Sequence, residues 1–367
     1  MDVNSFVIGY NKGKASGGGM KGFHKVQFFN DDRTTLLYTV FVPTGANAMY
    51  AGETPISTES ETLVFMGFEP SPANVAEDME CYAVYENIGT LDEMSWGSIS
   101  KFSERGIAQN YFAVGDTKMI HIEGMVGTVE VNGDYGVYII GFDHNEKYEG
   151  KGIHFGTFKG EGGKDIALFD NKYNTTSTSG AKYFNMNHWG SVNTGGWAAC
   201  DLRYDILGST DKAPLEYGSA KTAASVGHNA SDNCATNPVA NTLMAALPSD
   251  LREVMKPMIK YTDNVGNGGN YIENVTATVD YLPLISEFEL RGNGTWVEKE
   301  KQKRYEYFAL GNSWRKRSQL TDDYSFWYAR TPYTDYGVAF AYVFSANDNT
   351  GGIGASRVLG LAPIFKV

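Results

Sequence analysis

Cysteine is scarce in this chain, with three residues (Cys81, Cys200 and Cys234) in 367. Thiols so few and so scattered argue against a disulfide framework or a thiolate metal site, and are expected to be buried as small apolar groups. Positive charge is also short: 31 Lys and Arg stand against 43 Asp and Glu, for a net charge of −12. A nucleic-acid binder needs a basic stripe to displace counterions, so that class is disfavoured. Long apolar runs are missing. None approaches the ~18 residues of a membrane helix, which predicts no membrane insertion. The apolar stretch Phe6–Ile8 is far short of the ~7–15 residues of a secretory leader, so export would need another route, such as particle assembly and lysis.

Signatures of catalysis are wanting too. There is no GxSxG elbow, HExxH helix, GxxxxGK[ST] loop or CxxC pair. "GEGGKD" (160–165) lacks the spacing and hydroxyl of a phosphate loop. Asp143, Asn145 and Glu149 gather oxygen ligands of the kind calcium prefers, without the full twelve-residue spacing; a strand-ending turn is the alternative. His188 and His228 lie near Cys200 and Cys234, but zinc wants tighter pairs. Asp201, Asp205, Asp280, Glu287 and Glu289 are open to acid–base work or to caps and ion pairs. The chain is expected not to be an enzyme and to hold no cofactor, with calcium left as an unsupported option.

What is present in quantity is tyrosine (23) and glycine (42), which suit many short strands and loops. Residues 1–20 carry a short amphipathic patch and a Gly17–Gly19 hinge, a docking peptide or an unstructured terminus. A β unit follows over 21–88, with a hairpin turn at Asn30-Asp31-Asp32. From 89 onward the chain mixes elements. Thr90, with Asp92 and Glu93, is expected to cap a helix bearing Trp96, Ile99 and Ile107; "FAVGDTKMIHIEG" and "GVYIIGFDHN" read as strands, and 147–178 as loops between short strands. Asn241–Ala246 and the run after Ser249 (Leu251, Val254, Met255, Met258, Ile259) have helical spacing, kinked or ended by Pro257, and 274–290 returns to strand character. Asp201 and Arg203 are expected to pair, and Arg330 to tie loops to carboxylates or carbonyls.

Two stretches resemble known families. "LLYTVFVPTGANAMYAGETP", "FMGFEPSPANV" and "EDMECYAVYE" resemble the internalin-type B repeat, a β-grasp-like spacer of bacterial and phage surface proteins. "NMNHWGSVNTGGWAACDLRYDILGST", "PVANTLMAALPSDLREVMKPMIKYTDNVG", "YFALGNS", "FWYARTP" and "GLAPIFKV", in that order, resemble C-type-lectin-like domains of phages and prophages of gut Firmicutes. That family is similar to the variable proteins of diversity-generating retroelements and, distantly, to the formylglycine-generating enzyme, whose active-site cysteines have no counterpart in the C-terminal 130 residues here. The resemblance implies an α+β chain: a leader over 1–20, a β-grasp-like module over 21–88 and a C-type-lectin-like domain over 89–367. It implies a phage virion adhesin of the tail tip or fibre, released on lysis, that binds a host-surface protein or glycan. The N-terminus would contact other phage proteins, and self-association as a trimer follows by analogy. A decoration protein without a host ligand is the alternative, and an enzyme of the formylglycine-generating or glycan-active kind a further one.

The stretch Val338–Phe344 alternates small residues (Ala339, Ala341, Val343) with large ones (Val338, Phe340, Tyr342, Phe344). Strand geometry sends the two sets to opposite faces, and composition alone would bury the rings. The resemblance favours Tyr342 and Phe344 facing outward and leaves Phe340 open. The implied ligand-binding positions are Trp314, Arg317 and Tyr328, then Tyr333, Asp335 and Tyr336, then Tyr342 and Phe344, and last Asn347, Asp348 and Asn349. These are the residue types that binding loops use, rigid rings for area and short polar groups for hydrogen bonds.

Overall fold

A computed structural model describes residues 22–170, 184–188, 190–209, 234–266, 272–292, 302–333, 336–344 and 347–367. The leader expected over 1–20 lies outside the described residues, as do Trp189 and His228. The fold is mixed α+β, with a β-rich N-terminal region and a more mixed C-terminal one. Two compact units divide the chain between Gly89 and Thr90.

The first unit is one sheet of β1 (Phe23–Phe29), β2 (Leu36–Pro43), β3 (Leu63–Glu69) and β4 (Met79–Asn87), in the order β2-β1-β4-β3. β1 and β2 form an antiparallel hairpin whose turn is closed by Asp32, which accepts from Thr34 N at 2.9 Å and Thr35 N at 2.8 Å. β1 and β4 run parallel at the centre. Alternation along β1 turns Val26 and Phe28 inward, where Phe28 packs on Phe68 at 4.7 Å and on Tyr50 at 5.5 Å between ring centres.

In the second unit, β5 (Thr117–Val126), β6 (Val129–Phe142), β7 (Ile153–Lys159) and the late β16 (Ile364–Lys366) make an antiparallel sheet ordered β16-β7-β6-β5. β5 buries Lys118, Ile120 and Ile122 while Met119, His121 and Glu123 face out, the period of a half-buried strand. A helix over Trp96–Glu104 packs Trp96 against Phe155 and Phe365 on this sheet. Three smaller sheets complete the unit. β8 (Ile166–Ala167) joins β11 (Lys316–Ser318) and β12 (Tyr324–Ser325), and β9 (Met258–Asp263) pairs with β10 (Val275–Asp280). β13 (Trp327–Pro332), β14 (Ala339–Val343) and β15 (Thr350–Gly354) form the third, in that order. Trp314, Trp327, Tyr305, Tyr307, Phe308 and Val343 share a core with Tyr138 and Ile140 of β6.

Several local expectations are corrected. The first helix begins at Trp96, not Thr90, because Ser95 takes the cap and accepts from Ser98 N; the Thr90 N–H and hydroxyl instead donate to the Glu93 carboxylate in a preceding turn. The run after Ser249 is helical only over Ser249–Val254. Pro257 has no N–H to continue the ladder, and Met258–Asp263 pairs as β9. Strand character after 274 stops at Asp280; a capping box between Ser286 and Glu289 then starts a helix over Glu287–Arg291. Within 147–178 the expected short strands are present as Ile153–Lys159, paired on both sides, and Ile166–Ala167. Asp201 and Arg203, expected to pair with each other, each have a further partner: Arg203 donates from Nε to Asp280 Oδ1 at 2.5 Å, and Asp201 accepts from His188 N at 2.9 Å.

Candidate functional site

Behind the C-terminal sheet lies a network of charge with no access to water. Arg330 of β13 donates from Nη1 to Glu289 Oε2 at 2.6 Å and to the Leu284 carbonyl at 2.8 Å, and from Nε to Thr262 Oγ1 of β9 at 2.9 Å. Lys260, also on β9, donates to Glu289 Oε1 at 3.2 Å and to Tyr305 OH at 3.0 Å. Its ammonium also lies 3.6 Å from Glu149 Oε1. Burial alone would raise the Glu289 carboxyl, but Arg330 and then Lys260 outweigh it and hold it at about 2. Burial, reinforced by Lys260, lowers His144 to about 3 and His154 well below its usual value. His144 stacks on Tyr305 at 3.7 Å, and the Tyr305 hydroxyl lies 3.1 Å from His154 Nδ1. These groups bind β9, β13 and the Glu287–Arg291 helix into one frame. The carboxylates open to acid–base work are likewise engaged: Asp280 by Arg203, Glu287 by Arg291 at 2.9 Å, and Asp205 by His188 at 3.1 Å.

In front of the frame, β14 alternates by face. Ala339, Ala341 and Val343 are buried, and Val343 packs with Trp327 in the core. On the other face Phe340 is buried while Tyr342 and Phe344 are half-buried. Tyr342 contacts Phe344 at 4.8 Å and Phe326 at 5.5 Å, a run of three partly open rings. Tyr333 stacks on Tyr336 at 5.8 Å, and Tyr336 is 62% exposed.

The adjoining strand β15 explains how these rings are spaced. A Cβ added to Gly351 would lie 2.8 Å from Phe344 and 3.2 Å from Tyr342; one added to Gly352 would lie 2.6 Å from Tyr333. Adjacent strand residues face opposite sides, so the rings fall into two groups, one on each face of β15. Two glycines in succession let both groups approach the backbone, where any side chain would hold them off. Asn193, itself buried, pins the Tyr333–Ala339 loop by donating from Nδ2 to the carbonyls of Tyr333, Tyr336 and Ala339.

The other expected ligand positions are placed differently. Trp314 is buried and its carbonyl accepts from Trp327 Nε1 at 3.0 Å, so it belongs to the core. Tyr328 is fully buried, and its hydroxyl donates to the carbonyls of Gly354 and Arg357, both at 2.9 Å. Neither can meet a ligand. Asp348 is exposed, but its Oδ1 accepts from Trp314 N at 2.6 Å and Ser313 Oγ at 2.8 Å, which makes it the anchor of its loop. Asn347 and Asn349 are exposed in the turn between β14 and β15, where Asn349 Oδ1 accepts from Thr350 N. Arg317 sits on another sheet, over the Tyr324 ring at 4.5 Å and 3.4 Å from Asp322, beside a polar cleft of about 330 Å³ that also holds Lys164 and Gln319. Asp335 lies outside the described residues. Phe326, Asn193 and the glycine pair were not singled out from sequence, although "TGGIG" following an aromatic strand is a readable sign of close backbone approach.

The oxygen ligands suggested for calcium turn elsewhere. Asp143 Oδ1 accepts from Gly152 N, Asn145 Nδ2 donates to Gln302, and Glu149 is buried against Lys260. Among the described residues no group of three or more His, Cys, Asp or Glu is arranged to hold a metal. The three cysteines are buried; Cys200 and Cys234 donate to the carbonyls of Met186 and Gly208.

The fold and this face define an α+β protein in which a buried ionic frame backs a glycine strand flanked by aromatic rings. The chain belongs to the family described as a domain of unknown function (DUF6273), which matches residues 164–367, more than half of its length. That span takes in β8 to β16, and so both ring groups and β9 and β13 of the frame. No curated protein matches the chain, and no solved structure does.

Proposed function

We propose that the chain is a binding protein of a phage particle, an adhesin of the tail tip or fibre, whose C-terminal unit is a C-type-lectin-like domain presenting its last strands to a host-surface ligand. One observation carries the reading. Partly exposed rings flank both faces of β15, and the residues behind them are locked in a buried network. Rings held at low entropy cost, with polar groups at their rim, are how binding surfaces gain affinity without reorganising. The phage setting and the hypervariation of this region rest on the sequence resemblance.

In the same reading the first unit is a β-grasp-like spacer. The central parallel pairing of its first and last strands, flanked by hairpin partners, supports that assignment. The N-terminal residues dock to other particle proteins. Trimeric copies on one particle raise avidity for a weakly held ligand.

The test is binding of the labelled full chain to a panel of intact gut Firmicutes cells. Replacing Tyr336, Tyr342 and Phe344 with Ala is expected to abolish binding to any strain that the parent chain decorates, with the melting temperature little changed. Undiminished binding by the triple variant would remove the ring face from the function. A parent chain that decorates no strain, yet assembles with phage particles, would favour a decoration protein.

A further inference from the structure

We propose that β15 is a strand-addition site, at which an extended segment of a partner polypeptide pairs with the open edge at Gly352. The proposal rests on the reading of this face as a binding surface, and it names the class of ligand.

β15 is the outer strand of its sheet. Phe344 N donates to Asn349 O at 2.9 Å, and Ala355 N to Val338 O at 2.8 Å. Alternate residues of an antiparallel pair turn their backbone groups toward the partner strand. Gly351 and Ile353 therefore point at β14, and Thr350, Gly352 and Gly354 point away. The two ends are occupied: Thr350 N donates to Asn349 Oδ1, and the Gly354 carbonyl accepts from Tyr328 and Arg357. Gly352 lies between them and is exposed, and among the described residues nothing pairs with its outward N–H and C=O.

Natural sheet edges are usually blocked by charge, proline or a bulge. Residues 349–355 (NTGGIGA) carry neither charge nor proline, and the β14–β15 register is unbroken. An incoming strand at about 4.8 Å would send alternate side chains to the two faces. One set would pass beside Tyr333, the other beside Tyr342 and Phe344. Flanking on both faces, with a backbone donor and acceptor between, matches an extended peptide with alternating apolar side chains. A glycan would stack on one ring and leave the backbone pair unused.

The test pans the full chain against a displayed library of random linear dodecapeptides, then measures an enriched synthetic peptide on Gly352→Ala and Gly352→Pro. Both variants push a Cβ toward Tyr333, but only proline deletes the outward N–H, which β14 does not use. Binding is expected to fall about tenfold further for proline than for alanine. In the parent chain the Gly352 amide should exchange more slowly once the peptide is bound, a readout that decides the matter if the proline variant fails to fold. Equal weakening by both variants, or unchanged Gly352 exchange, overturns the proposal. So does a dimer of the parent chain that only Gly352→Pro dissolves, which would make a second copy the occupant. Ring-dependent cell binding with no enriched peptide removes strand pairing and leaves the binding surface standing; loss of both removes both.

Discussion

Arg330 and Glu289 meet at 2.6 Å with neither side chain exposed, and this contact joins the strand that precedes the ring loops to the cap of the Glu287–Arg291 helix. Glu289 serves two structures at once, since its Oε2 also accepts from Ser286 N at 3.0 Å. Removing the arginine leaves a carboxylate in a dry site facing Lys260, a cation that it shares with Glu149.

Arg330→Met is therefore expected to cost about 3–5 kcal/mol in urea denaturation, the penalty of stranding a buried charge. Adding Glu289→Gln to that variant should recover part of the loss, because an amide needs no counter-charge and can still accept from Ser286. Strictly additive effects in the double-mutant cycle would show that the two side chains are not coupled.

Acid should weaken the second unit through two of its buried histidines. His144 and His154 are kept neutral by burial, so the unfolded chain takes up protons below about pH 6.5 while the folded chain does not. Stability is then full above that pH and is lost as pH falls toward 3, by up to about 1.4 kcal/mol per histidine for each pH unit. Chemical denaturation at pH 7.5 and pH 5.5 should show the drop. His144→Gln should roughly halve it, leaving the part due to His154, and a slope unchanged by that substitution would place its origin elsewhere.

Asp348→Ala tests whether this residue anchors its loop. It would release the Trp314 amide and the Ser313 hydroxyl together. Hydrogen exchange at Trp314 and Arg315 should quicken, with about 1–2 kcal/mol lost from overall stability. Unchanged exchange would return Asp348 to the pool of ligand contacts.

Gly351→Ala addresses one ring group alone. Its new Cβ must displace Phe344 and Tyr342, which are partly open and able to turn. The cost should stay below the ~1–3 kcal/mol of overpacking a closed core, while the near-ultraviolet circular dichroism changes. An unaltered spectrum would mean that the rings do not rest on the strand.

How far the sequence disclosed this arrangement depended on the range of the interaction. The β1–β2 hairpin and the outward alternation of Met119, His121 and Glu123 are local patterns and could be read directly. Arg330 could be anticipated as a tie because a guanidinium among rings near the chain end has few other uses, yet its partners Glu289 and Thr262 lie 41 and 68 residues away. Trp314 and Tyr328 carry the chemistry of ligand contacts, and only their tertiary position buries them. The strand at Met258 was hidden by helix-compatible spacing on both sides of Pro257, where pairing with β10 decides the outcome. The separation of the rings into two groups could not be foreseen without knowing that Gly351 and Gly352 lie between them.

The parallel pairing of β1 and β4 has a mechanical consequence. Because the two strands run in the same direction, the unit begins at one end of the sheet, near Phe23, and finishes at the other, near Asn87. Tension applied through those two points would slide the central strands lengthwise past each other and load their cross-links all at once, not peel them one after another. A sheet loaded in this way should yield abruptly and at high force.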